Sequence, residues 1–350
     1  MRQGVRMTTS VTALARVCRR VVGAAILRPV LQRHGGQVLF VACLVIGSTW
    51  AGGTSGKSSS ESLAQAAAGS TTQVGTFLHV RLPILVKAPF DAADVYITVD
   101  YYRPVGPGAF PVVIYSHGRA PTLAGRQALD VGVPDEQLHF WLERGVAVVA
   151  PIRPGYGRSG GTDREGLTLK FESNGQCSGD PDFRLLADTV ADIIVQTLAW
   201  TTSQPWVETR NIWLEGQSVG GIGTIAAGAK VSSQIAGYIN FSGGAGGNPA
   251  LSPYRSCRPE KLEDLFASLG ATTRVPNLWI YAEGDEYWGA TAPKLWHQAF
   301  AKHQFETTFV QIANPPGTRG HPLASISRAI WQGQLDEFLK LQSSSRILSR

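Results

Sequence analysis

The sequence predicts an α/β domain with a mostly parallel central sheet of about eight strands and helices on both faces. Two observations carry this prediction. Short apolar segments with little alternation recur from about residue 72, as expected for strands that are buried on both faces of a parallel sheet. Segments with helical periodicity lie between them, and such alternation of strand and helix is typical of helices that cover both faces of a sheet.

Eight strands are predicted, over residues 77–86, 95–102, 112–116, 146–150, 212–215, 238–241, 278–282 and 307–312. Six helices are predicted, over residues 136–144, 181–200, 219–230, 259–269, 291–302 and 322–341. Pro181 and Pro322 favour helix starts, because proline is tolerated in the first turn. No internal repeat or second block of composition interrupts the pattern, so residues 67–350 are expected to form one domain.

Residues 1–66 are expected to form a signal sequence and a flexible linker. Seven arginines and no acidic residue lie within residues 1–36, and the apolar run at 38–46 is shorter than the roughly 20 residues of a membrane span. This pattern is typical of an export signal, with Ala64-Gln65-Ala66 and the earlier Thr49-Trp50-Ala51 as cleavage candidates. An uncleaved membrane anchor and an organelle transit peptide are the alternatives. The protein is therefore expected in the periplasm or outside the cell, and at a membrane only through an uncleaved signal.

The formal charge of +6 resides in this N-terminal arm. Without its seven arginines the chain has 25 basic and 26 acidic residues, so nucleic acid is not an expected partner. The segment AGGTSGKS at 51–58 resembles a phosphate-binding loop, but alanine replaces the first glycine and no core strand precedes it. We therefore expect no nucleotide site.

Three segments have the spacing of a nucleophile motif, with a serine or cysteine between two glycines. The segment around Ser218, GQSVG, follows a predicted strand and precedes a predicted helix, which is the context that exposes a nucleophile on a sharp turn. The segment around Ser159, GRSGG, has no predicted helix after it, and the segment around Cys177, GQCSG, has no strand before it. Ser218 is the predicted nucleophile, with Ser159 and Cys177 as weaker alternatives.

A nucleophilic serine needs a general base, and the base needs an acid that orients it. His321 follows the last predicted strand, at the edge where ligands meet open α/β sheets, and is the predicted base. His117 is the alternative base, although its position beside a glycine favours a structural role. Asp285 follows the seventh predicted strand and is the predicted acid, with Glu283 as the alternative.

A tetrahedral intermediate needs hydrogen-bond donors for its oxyanion. The backbone N–H of Val219, the residue after the predicted nucleophile, is one expected donor. The backbone N–H of Arg119, which follows Gly118 in the loop after the third predicted strand, is the other. The predicted oxyanion hole thus joins two segments that lie far apart in the chain.

Five segments together resemble the α/β-hydrolase superfamily, most closely exported bacterial proteins of its dienelactone-hydrolase and prolyl-oligopeptidase-like branch. They are VVIYSHG at 112–118, RPGYGRSGG at 153–161, GQSVGG at 216–221, LWIYAEGDEYW at 278–288 and GTRGHPL at 317–323. The resemblance covers about residues 75–340 and implies catalytic Ser218, Asp285 and His321, with no cofactor. Dienelactone hydrolases have cysteine where this chain has Ser218, which argues against lactone specificity.

The expected function is that of a serine hydrolase that cleaves a small-molecule carboxylic ester through an acyl-enzyme. A peptidase or amidase of the prolyl-oligopeptidase-like type would use the same mechanism, and a non-catalytic binding protein with the hydrolase fold is an alternative of another class. Residues 161–180 and 243–269 are expected to cover the site. The candidates for lining it, which could equally be core or turn residues, are Trp206, Tyr254, Tyr287 and Trp288.

Cys177 and Cys257 are the two cysteines of the predicted domain. Such a pair often forms a disulfide in an oxidising compartment, and two buried free thiols are the alternative. The predicted bridge would tie the loop after the glycine-rich segment to the start of the helix near Pro259. Neither cysteine has a second Cys or His at ligand spacing, so no metal site is expected.

Overall fold

The computed structural model describes residues 69–303, 306–326 and 328–348. The predicted signal sequence, its cleavage candidates, the segment AGGTSGKS and residues 67 and 68 lie outside the described residues, so these points stay predictions. Over the ranges that the structure describes, no helix is both long enough and apolar enough to cross a bilayer.

A nine-stranded sheet contains every predicted strand and one strand that was not predicted. The strands are β1 (Ser70–Val74), β2 (Phe77–Val86), β3 (Val95–Pro104), β4 (Phe110–Ser116), β5 (Ala147–Pro151), β8 (Val207–Gln217), β9 (Gly237–Phe241), β12 (Asn277–Ala282) and β13 (Thr307–Ile312). Their order in the sheet is β1-β2-β3-β5-β4-β8-β9-β12-β13. β1, β2, β3 and β5 pair antiparallel, and all pairs from β5 to β13 are parallel.

The unpredicted strand β1 is fully exposed, so it lacks the apolar signal by which the others were recognised. Two short hairpins also escaped prediction. One pairs β6 (Lys170–Phe171) with β7 (Cys177–Ser178), and the other pairs β10 (Gly247–Asn248) with β11 (Ser252–Ser256). Both hairpins belong to the segments that were expected to cover the site.

Helices cover both faces of the sheet, as predicted. They are α1 (Leu123–Gln127), α2 (Asp135–Leu142), α3 (Phe183–Thr202), α4 (Val219–Lys230), α5 (Pro259–Thr272), α6 (Ala292–Ala301) and α7 (Gln332–Leu348). Alternate residues of one strand enter different cores: Val112 and Ile114 pack in the core that contains α3 to α6, whereas Val113 packs in the core that contains α2 and α7. This alternation is the two-sided burial that the apolar strands predicted.

Two predicted helix starts were wrong. Pro181 precedes α3, because the side chain of Asp182 accepts a hydrogen bond from the backbone N–H of Leu185 at 2.8 Å and caps the helix. Pro322 precedes a short 3-10 turn, since the extended residue Ile326 interrupts the chain before α7 begins. Leu323 and Ala324 before that interruption and Trp331 after it are buried in the core that contains α2 and α7.

Candidate active site

Ser218 lies on a sharp turn between β8 and α4. Its φ of 56° and ψ of −121° are strained for a residue with a side chain. Neighbouring glycines permit the turn: a Cβ on Gly216 would lie 2.4 Å from the Gly220 carbonyl oxygen, and a Cβ on Gly220 would lie 2.0 Å from that of Ser116. The Ser218 N–H donates to the Phe241 carbonyl at 2.9 Å. The local structure is therefore the strand–turn–helix arrangement that the GQSVG segment predicted.

The structure brings together Ser218, His321 and Asp285. The Oγ of Ser218 lies 3.0 Å from Nε2 of His321, and Nδ1 of His321 lies 3.0 Å from each carboxylate oxygen of Asp285. Asp285 is 0% exposed and His321 is 8% exposed. All three distances between these side chains are those of hydrogen bonds. Glu283, the alternative acid, is exposed and is not part of this chain of contacts.

The surroundings of His321 and Asp285 hold both side chains in place. One carboxylate oxygen of Asp285 accepts backbone N–H groups from Tyr287 at 2.9 Å and Trp288 at 3.3 Å. The same two residues pack their rings on the imidazole, with centroid distances of 4.1 Å and 5.4 Å. The turn at 285–288 therefore orients the carboxylate through its backbone and the imidazole through its side chains.

The predicted oxyanion donors, Arg119 and Val219, line the same cavity as Ser218. A Cβ on Gly118 would lie 3.5 Å from Cβ of Ser218, so the loop after β4 passes directly beside the serine. Among the residues that the structure describes, neither the Arg119 nor the Val219 backbone N–H has a hydrogen-bond acceptor. Their role as oxyanion donors stays a prediction.

His117 has both ring nitrogens bound to backbone groups. Its Nε2 accepts the backbone N–H of Arg153 at 3.1 Å, so Nδ1 carries the proton and donates to the Gly118 carbonyl at 2.7 Å. Burial and the neighbouring Arg153 hold the pKa of His117 well below its usual value. His117 is thus a neutral residue that holds the loop, as its position beside a glycine suggested.

The other two nucleophile candidates are engaged elsewhere. The hydroxyl of Ser159 donates to the Ile152 carbonyl at 2.6 Å and accepts the Thr98 N–H at 2.9 Å. The sulfur of Cys177 is bonded to that of Cys257, with the two Cα atoms 5.6 Å apart. The structure therefore contains the disulfide that the sequence predicted.

A cavity of about 390 Å³ opens beside Ser218. It is lined by Gly118, Arg119, Pro121, Glu165, Gly166, Leu167, Leu169, Leu186, Gln217, Ser218, Val219, Ala245, Gly246, Gly247, Tyr287, Trp288 and His321. Both segments expected to cover the site contribute, through residues 165–169 and 245–247. Of the aromatic candidates, Tyr287 and Trp288 line the cavity, whereas Trp206 stacks on Tyr101 at 4.9 Å and Tyr254 is 60% exposed.

The disulfide connects the two walls of this cavity. Cys177 lies in β7, shortly after residues 165–169, and the backbone N–H of Cys257 donates to the Gly246 carbonyl at 2.8 Å. The bridge spans 80 residues of sequence, a loop length for which chain-entropy arguments give a stabilisation of about 4 kcal/mol. It therefore restrains the relative position of two segments that line the cavity.

Sequence reasoning missed two buried carboxylates near Ser218. Glu165 pairs with Arg153, whose Nε lies 2.5 Å from one carboxylate oxygen. Glu215, three residues before Ser218, accepts the indole N–H of Trp141 at 2.6 Å, and burial raises its pKa to about 8. Arg153 begins the quoted segment RPGYGRSGG, but nothing in the local sequence shows that its partner follows 12 residues later.

Within the described ranges, no three His, Cys, Asp or Glu side chains are grouped so that they could hold a metal ion. The expectation that the protein uses no metal and no cofactor stays a prediction.

Known proteins resemble this chain in structure rather than in sequence. No protein-family model and no curated protein matches it. A cold-adapted esterase from an Arctic intertidal metagenomic library has a TM-score of 0.51 and 15% identity, over 77% of this chain and 96% of its own. An esterase of Pyrococcus furiosus has a TM-score of 0.50 and 15% identity, over 74% and 91%.

A putative dienelactone hydrolase from Klebsiella pneumoniae has a TM-score of 0.45 and 15% identity, over 74% of this chain and 98% of its own. The structural likeness to the two esterases, at 15% identity, shows the fold alone and leaves the activity to be argued from the site. The predicted fold class is confirmed, with nine strands in place of about eight: this chain has the α/β-hydrolase fold.

Proposed function

We propose that the protein is a serine hydrolase that cleaves carboxylic esters of small molecules. The observation that carries this proposal is the unbroken series of contacts from Ser218 through His321 to buried Asp285, each 3.0 Å long. The serine lies on a strained turn that opens into a cavity. Such a series has the geometry by which a base activates a serine and an acid orients the base.

In the proposed reaction, Ser218 Oγ attacks the ester carbonyl carbon while Nε2 of His321 accepts its proton. Asp285 accepts the Nδ1–H of His321 and stabilises the imidazolium that forms. The backbone N–H groups of Arg119 and Val219 stabilise the oxyanion of the tetrahedral intermediate. The tetrahedral intermediate expels the alcohol, which takes the proton from His321, and the acyl group stays on Ser218 Oγ. Water then attacks this acyl-enzyme while His321 accepts its proton, and the acid leaves as Ser218 takes the proton back.

The cavity favours a small or medium acyl group. Its lining includes the aliphatic side chains of Leu167, Leu169 and Leu186, and its volume of about 390 Å³ lies at the small end of the range for small-molecule sites. We propose short acyl chains over long lipid chains. Two structural neighbours, with TM-scores of 0.51 and 0.50, are named as esterases, and these names support an ester rather than a peptide bond.

We also propose that the protein is exported. The disulfide between Cys177 and Cys257 supports this location, because disulfides persist in oxidising compartments and are rare in the cytosol. The Arg-rich segment and the apolar run before the described residues support it independently.

Labelling of the full chain with a fluorophosphonate probe, followed by peptide mapping, tests the nucleophile. We expect the adduct on Ser218 and no labelling after heat denaturation. An adduct on Ser159, or no adduct on the native protein, would contradict the proposal. A panel of nitrophenyl acyl esters beside aminoacyl nitroanilides tests the substrate class: fast anilide turnover with negligible ester turnover would show a peptidase or amidase instead.

A further inference from the structure

Arg153 is a buried cation that binds the loop beside the nucleophile. It follows β5, and its side chain is 1% exposed. Its Nη1 donates to the His117 carbonyl at 2.5 Å and to the Ser116 hydroxyl at 3.1 Å. Its Nη2 donates to the Gly118 carbonyl at 3.3 Å. One guanidinium therefore binds three consecutive residues of the segment 116–119, which we call the oxyanion loop.

These contacts determine the direction of the Arg119 N–H. The Gly118 carbonyl and the Arg119 N–H belong to one peptide group, which is planar and trans, so the two bonds point in opposite directions. The carbonyl oxygen is held by Nδ1 of His117 at 2.7 Å as well as by Arg153. Because the oxygen is held by these two side chains, the Arg119 N–H is fixed in the opposite direction.

Glu165 compensates the charge of Arg153. Its two carboxylate oxygens lie 2.5 Å and 3.1 Å from Nε and Nη2 of Arg153, and the Tyr156 hydroxyl donates to it at 2.8 Å. A buried cation needs such a partner, because an unpaired charge in the interior is strongly destabilising. Glu165 also begins the cavity wall 165–169, and Nη1 of Arg119 lies 3.4 Å from it.

We infer that Arg153 is a positioning residue that aims the Arg119 N–H at the oxyanion, and that Glu165 couples this function to the cavity wall. The inference rests on the proposed function, since it concerns a hydrolase with an oxyanion hole. Arg153 does not touch the reacting atoms; it acts through the Gly118–Arg119 peptide. A substrate bound against the wall 165–169 would contact Glu165, the residue that holds Arg153 in place.

The test compares hydrolysis of an oxoester with that of the matching thionoester by the full chain and its variants. Sulfur accepts hydrogen bonds more weakly than oxygen, so an intact oxyanion hole favours the oxoester. A loss of folded protein lowers both rates equally and leaves their ratio unchanged. The ratio therefore reports the aim of the oxyanion donors and not the amount of active enzyme.

Arg153→Lys keeps the charge but removes the fork that reaches three loop residues. We expect kcat for the oxoester to fall about 10- to 100-fold with KM nearly unchanged, a smaller loss than the 10²–10³-fold seen when an oxyanion donor is removed. The oxoester-to-thionoester ratio should fall with it. Glu165→Gln keeps the size of the side chain and removes its charge, and it should lower the ratio to a smaller extent.

Arg81→Lys is the matched control. Arg81 binds the buried carboxylate of Asp100 at 2.8 Å, but it contacts no residue of the oxyanion loop, so the ratio should stay at the wild-type value. An unchanged ratio in both Arg153→Lys and Glu165→Gln would overturn the inference and leave the proposed function standing. Failure of the folded wild-type protein to hydrolyse the oxoester would overturn the proposed function, and the inference with it.

Discussion

Ser218 and Ser159 occupy the same G-x-S-x-G pattern, yet the fold uses them in opposite ways. Ser218 has a φ of 56° between a strand and a helix, and its hydroxyl contacts His321. Ser159 lies in the loop after β5, and its hydroxyl bonds to two backbone groups, one from β3. The same motif can thus have different roles. The elements on either side of it determine whether the serine hydroxyl contacts a histidine or backbone groups.

The strands that precede the two serines differ as well. β5 is apolar and fully buried, with the sequence AVVAP. β8 carries Glu215 with 0% exposure, and among the described residues its Oε1 has no hydrogen-bond partner. Asp285 lies in a loop and accepts two backbone N–H groups, whereas the neighbours of Glu215 use their N–H groups in the sheet. A loop can therefore donate backbone N–H groups to a buried carboxylate, whereas the N–H groups of a central strand are already used in the sheet.

The largest difference between the two motifs should appear when each serine is replaced. Ser218→Ala removes the proposed nucleophile, and we expect kcat to fall by about 10⁴- to 10⁶-fold, as in enzymes known to use a serine triad. Thermal unfolding should show that the fold is retained. Steady-state ester hydrolysis measures the loss, and a variant within ten-fold of the wild type would disprove the role of Ser218.

Asp285→Asn tests whether the acid of the Ser218 site orients the base. The amide cannot stabilise the imidazolium and can present its NH₂ group to Nδ1 of His321, which favours the wrong tautomer. We expect kcat to fall by about 10⁴-fold, the loss known for the same change in a serine protease. Glu283→Gln is the control, because Glu283 is exposed, and its kcat should equal that of the wild type. Equal losses in both variants would contradict the assignment.

Glu215, in the strand before Ser218, should make the free energy of unfolding depend on pH. Its pKa is raised to about 8 in the folded protein, so the unfolded chain loses this proton near pH 4.5 and the folded protein loses it near pH 8. The free energy of unfolding should therefore decrease between these values, by up to about 1.4 kcal/mol per pH unit from this group.

Glu215→Gln keeps an acceptor for the Trp141 indole and removes the titration. Urea unfolding at pH 5, 6, 7 and 8 should show a flatter pH dependence for the variant than for the wild type. Parallel curves for the two proteins would show that Glu215 does not take up a proton on folding.

Ser159→Ala should have the smallest effect. It removes one hydroxyl that makes two hydrogen bonds to the backbone, so we expect a destabilisation of about 1 to 2 kcal/mol and kcat close to the wild-type value. Thermal unfolding and ester hydrolysis, run beside Ser218→Ala, measure both quantities. A large loss of kcat without a loss of stability would mean that the two motifs were assigned the wrong way round.

The parts of the site that could be predicted are those with a signal in the nearby sequence. The strand–turn–helix pattern around Ser218 is local, and Asp285 and His321 were predicted from their positions after predicted strands and from the chain order of serine, acid and histidine. The helix start at Pro322 was predicted wrongly, because the interruption at Ile326 depends on packing against the core and leaves no local signal. The exposed strand β1 was missed because its residues carry no burial pattern.

The sequence by itself determined the alternation of strands and helices, the turn at Ser218 and the candidates for its base and acid, because periodicity and glycine placement act over a few residues. Only the tertiary structure decided that β5 lies between β3 and β4, and that Arg153 meets both Glu165 and the oxyanion loop. Those contacts join buried polar groups from separate loops. Which polar groups pair depends on which loops the fold brings together. A buried charge must then pair with an opposite charge on one of those loops, because an unpaired buried charge is strongly destabilising.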